Sequence, residues 1–189
     1  MPQIILASAS PRRRELLNQI HVRHLVQTAE IDETPLLNES PKNYVQRLAL
    51  EKALACQKKF NPTLPILAAD TTVVLDNQIM GKPQNKIDAF RMLNQLSGKT
   101  HQVFTAIALL GNPQNVVISV TEVTFKKLTE NEIFAYWESG EPHDKAGSYA
   151  IQGKGSLFIE RINGSFSGVM GLPLFETAQL LALEGIELL

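Results

Sequence analysis

Cysteine is nearly absent: Cys56 stands alone among 189 residues, which excludes an intramolecular disulfide framework and a cysteine-rich zinc site. Long apolar runs are missing as well, and no stretch approaches the roughly 18 residues needed to cross a bilayer. The first apolar run, Ile4 to Leu6, precedes the first arginines, the reverse of a secretory signal. A cytoplasmic protein with no membrane partner is therefore expected. Net charge is only -1 and aromatics make up 6%, so neither long-range attraction nor a set of stacking platforms favours nucleic acid. Internal repeats and low-complexity linkers are also lacking. A single domain over residues 1–189 is expected, burying about 70% of its extended surface on folding.

Apolar periodicity predicts strands over 3–7, 23–27, 66–75, 101–110, 115–126 and 157–162, and helices over 11–20, 41–59, 86–97, 130–139 and 174–185. Early alternation followed by neighbouring strands points to an α/β fold with a central mixed sheet flanked by helices. Seven of the 11 glycines fall between Gly140 and Gly171. They read either as loops that let backbone approach a ligand or as hairpin turns around the last strand.

Charges break this pattern at informative places. Ser10 and Pro11 supply an N-cap and a first helical residue, and Arg12, Arg13 and Arg14 follow at once. Each cation in a first helical turn costs roughly 0.3 to 1 kcal/mol against the helix dipole, and a bound phosphate would reverse that penalty. Arg13 shares a face with Leu16, Leu17 and Ile20, Arg12 lies four before Leu16, and Arg14 aligns with Asn18 toward solvent. The alternative is a basic helix start with ordinary surface ion pairs.

In the second helix Lys52 falls on the face of Val45, Leu48, Ala49 and Cys56, although a stripe drawn through Leu50 and Leu54 would leave it in solvent. Asp70 interrupts the apolar strand 66–75, where a carboxylate needs a metal, a cationic partner or a catalytic role. A turn at Asp76-Asn77 would pair Leu75 with Gln78 and, if the register continued, Thr71 with Lys82, bringing an ammonium beside Asp70. Ser8, Arg12, Arg13, Lys52, Asp70 and Lys82 thus have the composition of a polyphosphate site. A divalent metal would bridge Asp70, with Glu33 as a second ligand, to phosphate oxygens; Asp32 and Glu33 read equally well as solvated loop residues.

Several motifs are decoys. Gly98-Lys99-Thr100 is no P-loop, because Leu93 replaces the first glycine and the helix precedes the motif. Gly153-Lys154-Gly155 lacks the third glycine of a dinucleotide fingerprint, since Phe158 stands there. His21, His24, His101 and His143 lack zinc-ligand spacing, and Ser165 lacks a nucleophile elbow. Asn163-Gly164-Ser165 reads as a turn rather than a glycosylation site.

Together, Leu6-Ala-Ser-Ala-Ser-Pro-Arg-Arg-Arg-Glu-Leu-Leu17, Arg47-Leu-Ala-Leu-Glu-Lys-Ala53, Ala69-Asp-Thr-Thr-Val-Val74, Gly81-Lys-Pro83, His101-Gln-Val-Phe-Thr105, Asp144-Lys-Ala-Gly-Ser-Tyr-Ala-Ile-Gln-Gly153 and Gly171-Leu-Pro-Leu174 resemble the Maf family of nucleoside triphosphate pyrophosphatases. The resemblance runs nearly end to end. It implies a fold like that of inosine triphosphate pyrophosphatases, with two lobes around a cleft, and hydrolysis of a nucleoside triphosphate to monophosphate and pyrophosphate with Mg, Mn or Co. It further implies Asp70 as proton acceptor, Ser8, Arg12, Arg13, Lys52 and Lys82 as substrate-binding residues, and Glu33 with Asp70 as metal ligands. The branch acting on 7-methyl-GTP carries tryptophan, glutamine and glutamate where this chain has Arg12, Thr71 and Gln152; these three resemble the branch acting on dTTP and UTP. Modified pyrimidine nucleotides would fit the same pocket, implying a house-cleaning role. A homodimer is an expectation at family level. The competing reading is a nucleotide-binding regulator of septum formation acting without catalysis.

Overall fold

A computed structural model describes residues 1–189. Seven strands form one sheet: β1 (Ile4–Leu6), β2 (His24–Val26), β3 (Ile66–Leu75), β4 (Gln78–Met80), β5 (Thr100–Leu110), β6 (Asn115–Phe125) and β7 (Ile159–Asn163). Six helices accompany them: α1 (Pro11–Gln19), α2 (Pro41–Phe60), α3 (Lys86–Leu96), α4 (Glu130–Glu138), α5 (Phe166–Met170) and α6 (Leu174–Leu183). Strand order is β2-β1-β3-β5-β6-β7, with β4 paired to β3. β1 runs parallel to β2 and β3, and the remaining ladders are antiparallel. The expected mixed sheet flanked by helices is present. No helix is long and apolar enough to cross a membrane.

Alternation along the strands sorts the core. Ile5, Ile66, Ala68, Ala106 and Ala108 face Val45, Ala49, Ala53 and Cys56 of α2. Ile4, Leu6, Leu67, Ala69, Ile107 and Leu109 face Leu16 and Leu17 of α1 and Leu180 and Leu181 of α6. Covering both faces explains why β3 reads as an almost unbroken apolar run, and small residues at 68, 106 and 108 let α2 lie close to the sheet. A third cluster, with Val73, Met80, Leu93, Phe125, Tyr136, Tyr149 and Phe158, packs the other end of the sheet against α3 and α4. These clusters are the cores of two lobes.

The sheet is split between the lobes. On one edge β3 pairs with β1 at Ile66 and Leu67, then with β4 from Val73 onward, so the stretch around Asp70 has no strand partner on that side. Two expectations need correction here. The hairpin pairs Leu75 with Gln78, but its ladder ends at Val73 opposite Met80, so Lys82 lies beyond the ladder and does not oppose Thr71. The chain from Glu141 to Met170 also contains more than hairpin turns: 3-10 turns at Glu141–Asp144, Ala146–Ser148 and Lys154–Phe158 precede β7, and the five-residue α5 follows it. The last strand consequently spans Ile159–Asn163, not 157–162.

Candidate active site

Asp70 is placed by the pleat. Two residues beyond Ala68, it points to the α2 face, where it is 6% exposed and meets Lys52, whose Nζ lies 2.7 Å from Asp70 Oδ1. The same ammonium lies 2.8 Å from Glu33 Oε1. Of the two stripes open to α2, the one through Val45, Leu48, Ala49 and Cys56 is buried, so Lys52 faces inward and Leu54 is left exposed. Burial pushes the Glu33 carboxyl up, but Lys52, Lys82 and Arg13 outweigh it and hold the group below the ordinary glutamate range.

The loop carrying Glu33 is tied down by α2. Tyr44 donates its hydroxyl to the Glu33 carbonyl at 3.0 Å, and burial, aided by the charges of Asp70 and Glu33, pushes the phenol up to about 12. Arg47 donates to the Thr34 carbonyl at 3.2 Å and pairs with Glu39 at 2.6 Å and Glu51 at 3.1 Å. Neither anchor was assigned a role from sequence. The only available signal was the placement of Arg47 four residues before Glu51.

Thr71, one residue further along β3, points to the opposite face and meets Arg13. Arg13 donates from Nη2 to Thr71 Oγ1 at 3.2 Å, from Nη1 to Ser8 Oγ at 3.0 Å, and from Nε to the Gly171 carbonyl at 2.7 Å. Burial lowers the Arg13 pKa, with Asp70 opposing. Gly171 adopts φ +113, and a Cβ there would stand 3.4 Å from Thr71 Oγ1 and 3.5 Å from Arg13 Nε, so glycine permits both the backbone conformation and the close approach. Ser10 occupies the α1 N-cap position but makes no side-chain cap bond, contrary to expectation. Its amide instead donates to Ser8 Oγ at 3.3 Å.

These groups line one cleft of about 710 Å³ between the lobes, together with Arg12, Lys82, Asp144, Lys145 and Tyr149. Ser8, Arg12, Arg13, Glu33, Lys52, Asp70, Thr71 and Lys82 all converge there. Gln152 does not line the cleft and is exposed. Arg12 and Lys82 make no ion pair within the protein, whereas Lys145 is paired with Asp144. Arg14 is exposed, as its helical phase required. The cleft thus offers two unpaired cations, a helix N-terminus, a serine hydroxyl and two carboxylates gathered on one ammonium. That inventory suits an extended polyanion that needs water activated beside it.

Residues 3–184 match the family described as Maf-like protein. The chain is similar to a dTTP/UTP pyrophosphatase of Nitrosomonas europaea at 53% identity, covering 97% of this chain and 95% of that one. A dTTP/UTP pyrophosphatase of Pasteurella multocida is 50% identical, covering 98% of each chain. In fold it is similar to a HAM1 protein from Coxiella burnetii, with a TM-score of 0.57 at 18% identity, covering 96% of this chain and 99% of that one.

Proposed function

The chain belongs to the Maf family, and from that premise we propose that it is a nucleoside triphosphate pyrophosphatase that hydrolyses dTTP and UTP to the monophosphate and pyrophosphate, with residues 1–189 acting as one catalytic domain. The observation that carries the reading is the buried Asp70 carboxylate at the floor of a cationic cleft, 2.7 Å from Lys52. Arg12, Lys82 and the Ser8 hydroxyl hold the triphosphate, and Lys52 adds charge beside it. Asp70 accepts the proton of the attacking water. As the new oxygen–phosphorus bond forms at the α-phosphorus, the bond to the bridging oxygen breaks, and that oxygen leaves with pyrophosphate.

A divalent ion suits the oxygens beside Lys52. Asp70 Oδ1 and Glu33 Oε1 are taken by the Lys52 ammonium at 2.7 and 2.8 Å, each carboxylate keeps a second hard oxygen that makes no bond within the protein, and no group of three or more His, Cys, Asp or Glu stands there. This is the donor set of an ion held by one or two carboxylates plus phosphate oxygens and water. Mg, Mn or Co bound there would neutralise charge on the phosphates. The test is a screen of canonical and modified nucleoside triphosphates with each metal, with products identified. Thymidine and uridine monophosphates with pyrophosphate are expected; diphosphate with orthophosphate would reject the reading.

A further inference from the structure

A line of hydroxyls crosses the sheet beside the cleft, and its protons can be assigned by elimination. Thr105, only 1% exposed, stands opposite Thr71 in the β3–β5 ladder. Its hydroxyl donates to the Gly168 carbonyl at 2.7 Å, and a carbonyl oxygen can only accept. The single Thr105 proton is therefore spent. The 2.9 Å contact between Thr71 Oγ1 and Thr105 Oγ1 must then carry the Thr71 proton. Arg13, which has donors only, takes one of the Thr71 lone pairs at 3.2 Å. What Thr71 can still offer the cleft is one acceptor lone pair and a methyl group.

Ser8 has the opposite polarity. Its oxygen accepts from Arg13 Nη1 at 3.0 Å and from the Ser10 amide at 3.3 Å, which uses both lone pairs and leaves its proton free. Phosphate oxygens only accept hydrogen bonds, whereas the donors of a pyrimidine nucleotide, the ring N–H and the sugar hydroxyls, lie in the nucleoside. We propose that Arg13 and Thr105 polarise the two hydroxyls so that Ser8 donates to phosphate while Thr71 accepts from the nucleoside, and that Thr105 is thereby a positioning residue for nucleoside recognition. This deepens the pyrophosphatase reading and rests on it for the choice of ligand. It also orients the substrate, with the triphosphate toward Ser8 and the nucleoside toward Thr71 and the Gly168–Gly171 turn.

Calorimetric binding of two probes, each with Mg, tests the assignment: inorganic tripolyphosphate, which has no nucleoside, and non-hydrolysable αβ-methylene dTTP. Ser8→Ala is expected to weaken both probes by a similar factor, about 3- to 10-fold for one hydrogen bond. Thr71→Val and Thr105→Val are expected to weaken the nucleotide analogue by about 3- to 10-fold and tripolyphosphate by no more than about twofold. Thr105→Ser keeps the hydroxyl and should restore wild-type binding. Equal weakening of both probes by Thr71→Val would place Thr71 on phosphate and overturn the proposal, as would an unchanged affinity for the analogue. If Thr105→Val failed to fold, the half-exposed Thr71→Val and the conservative Thr105→Ser would decide. A wild type that bound the analogue but released no pyrophosphate from dTTP or UTP would refute the pyrophosphatase reading and leave this comparison intact; a wild type that bound neither probe would overturn both.

Discussion

Asp70→Asn separates chemistry from architecture. Removing one partner of a buried ion pair costs about 3–5 kcal/mol when the other charge is stranded, but here Lys52 keeps Glu33 at 2.8 Å and the new amide oxygen can still accept from the ammonium. The Lys52 side chain is 16% exposed and that of Glu33 is 51% exposed, so solvent compensates further, and the net cost falls to about 1–2 kcal/mol. For a chain of this size that lowers Tm by about 2–8 °C. Loss of a general base is far larger, about 10²- to 10⁴-fold in rate. A continuous pyrophosphate-release assay beside thermal melting reads both quantities, and calorimetry with αβ-methylene dTTP checks that binding survives, since one negative charge has been removed from the cleft. A variant within tenfold of wild-type kcat would refute the role of Asp70, whatever its stability.

Three further outcomes follow from other parts of the molecule. Arg12 makes no ion pair in the protein yet lines the cleft, so Arg12→Ala should leave Tm nearly unchanged while raising the Kd for a triphosphate analogue about 10- to 100-fold, the worth of one charged hydrogen bond; a large fall in Tm with unchanged Kd would contradict this. Gly147 sits at φ +65 with its Cβ direction 2.9 Å from Val73 Cγ2, and its amide donates to the Gly81 carbonyl at 3.0 Å, so Gly147→Ala should cost about 2–4 kcal/mol from backbone strain and overpacking, measured by urea unfolding. Burial pushes His101 down to about 4, so between pH 6.5 and 4 the unfolded chain takes a proton that the folded chain refuses, and stability is full above that window and falls as pH drops through it. Between pH 7.5 and 5 the loss is about 2 kcal/mol, and His101→Phe should flatten that part of the stability profile even though it loses the 2.8 Å bond to the Tyr149 hydroxyl.

Much of this was legible locally. The apolar period placed helices over 41–59 and 130–139, and the structure forms α2 and α4 there, opened by Ser40 Oγ accepting from the Asn43 amide at 3.3 Å and by a reciprocal capping box of Thr129 and Glu132. The misplacement of Asp70 in an apolar strand was visible within one element, and Lys52 lay on one of the two stripes that α2 could have buried. Pattern on one element, however, gives a face and not the distant group that will meet it. The partner of Arg13 Nε is the Gly171 carbonyl, 158 residues away, and Thr105 joins Thr71 only through strand register. Short elements hid for a related reason: the five residues of α5 are too few to display a period, and the three of β4 were reached only through the turn before them. Ser10 misled because cap propensity gives the position and not the bond: it stands at the N-cap, yet its hydroxyl makes no cap bond, and the contact formed there is local, from the Ser10 amide to Ser8 Oγ at 3.3 Å.

We propose that Asp70 directs water onto the α-phosphorus of a nucleoside triphosphate held in this cleft. Hydrolysis of dTTP in ¹⁸O-labelled water, followed by phosphorus NMR, tests it most directly. The label should appear in the monophosphate, with unlabelled pyrophosphate as the other product and turnover by Asp70→Asn reduced at least about 10²-fold. Label in pyrophosphate, or release of orthophosphate with the diphosphate, would rule out attack at the α-phosphorus.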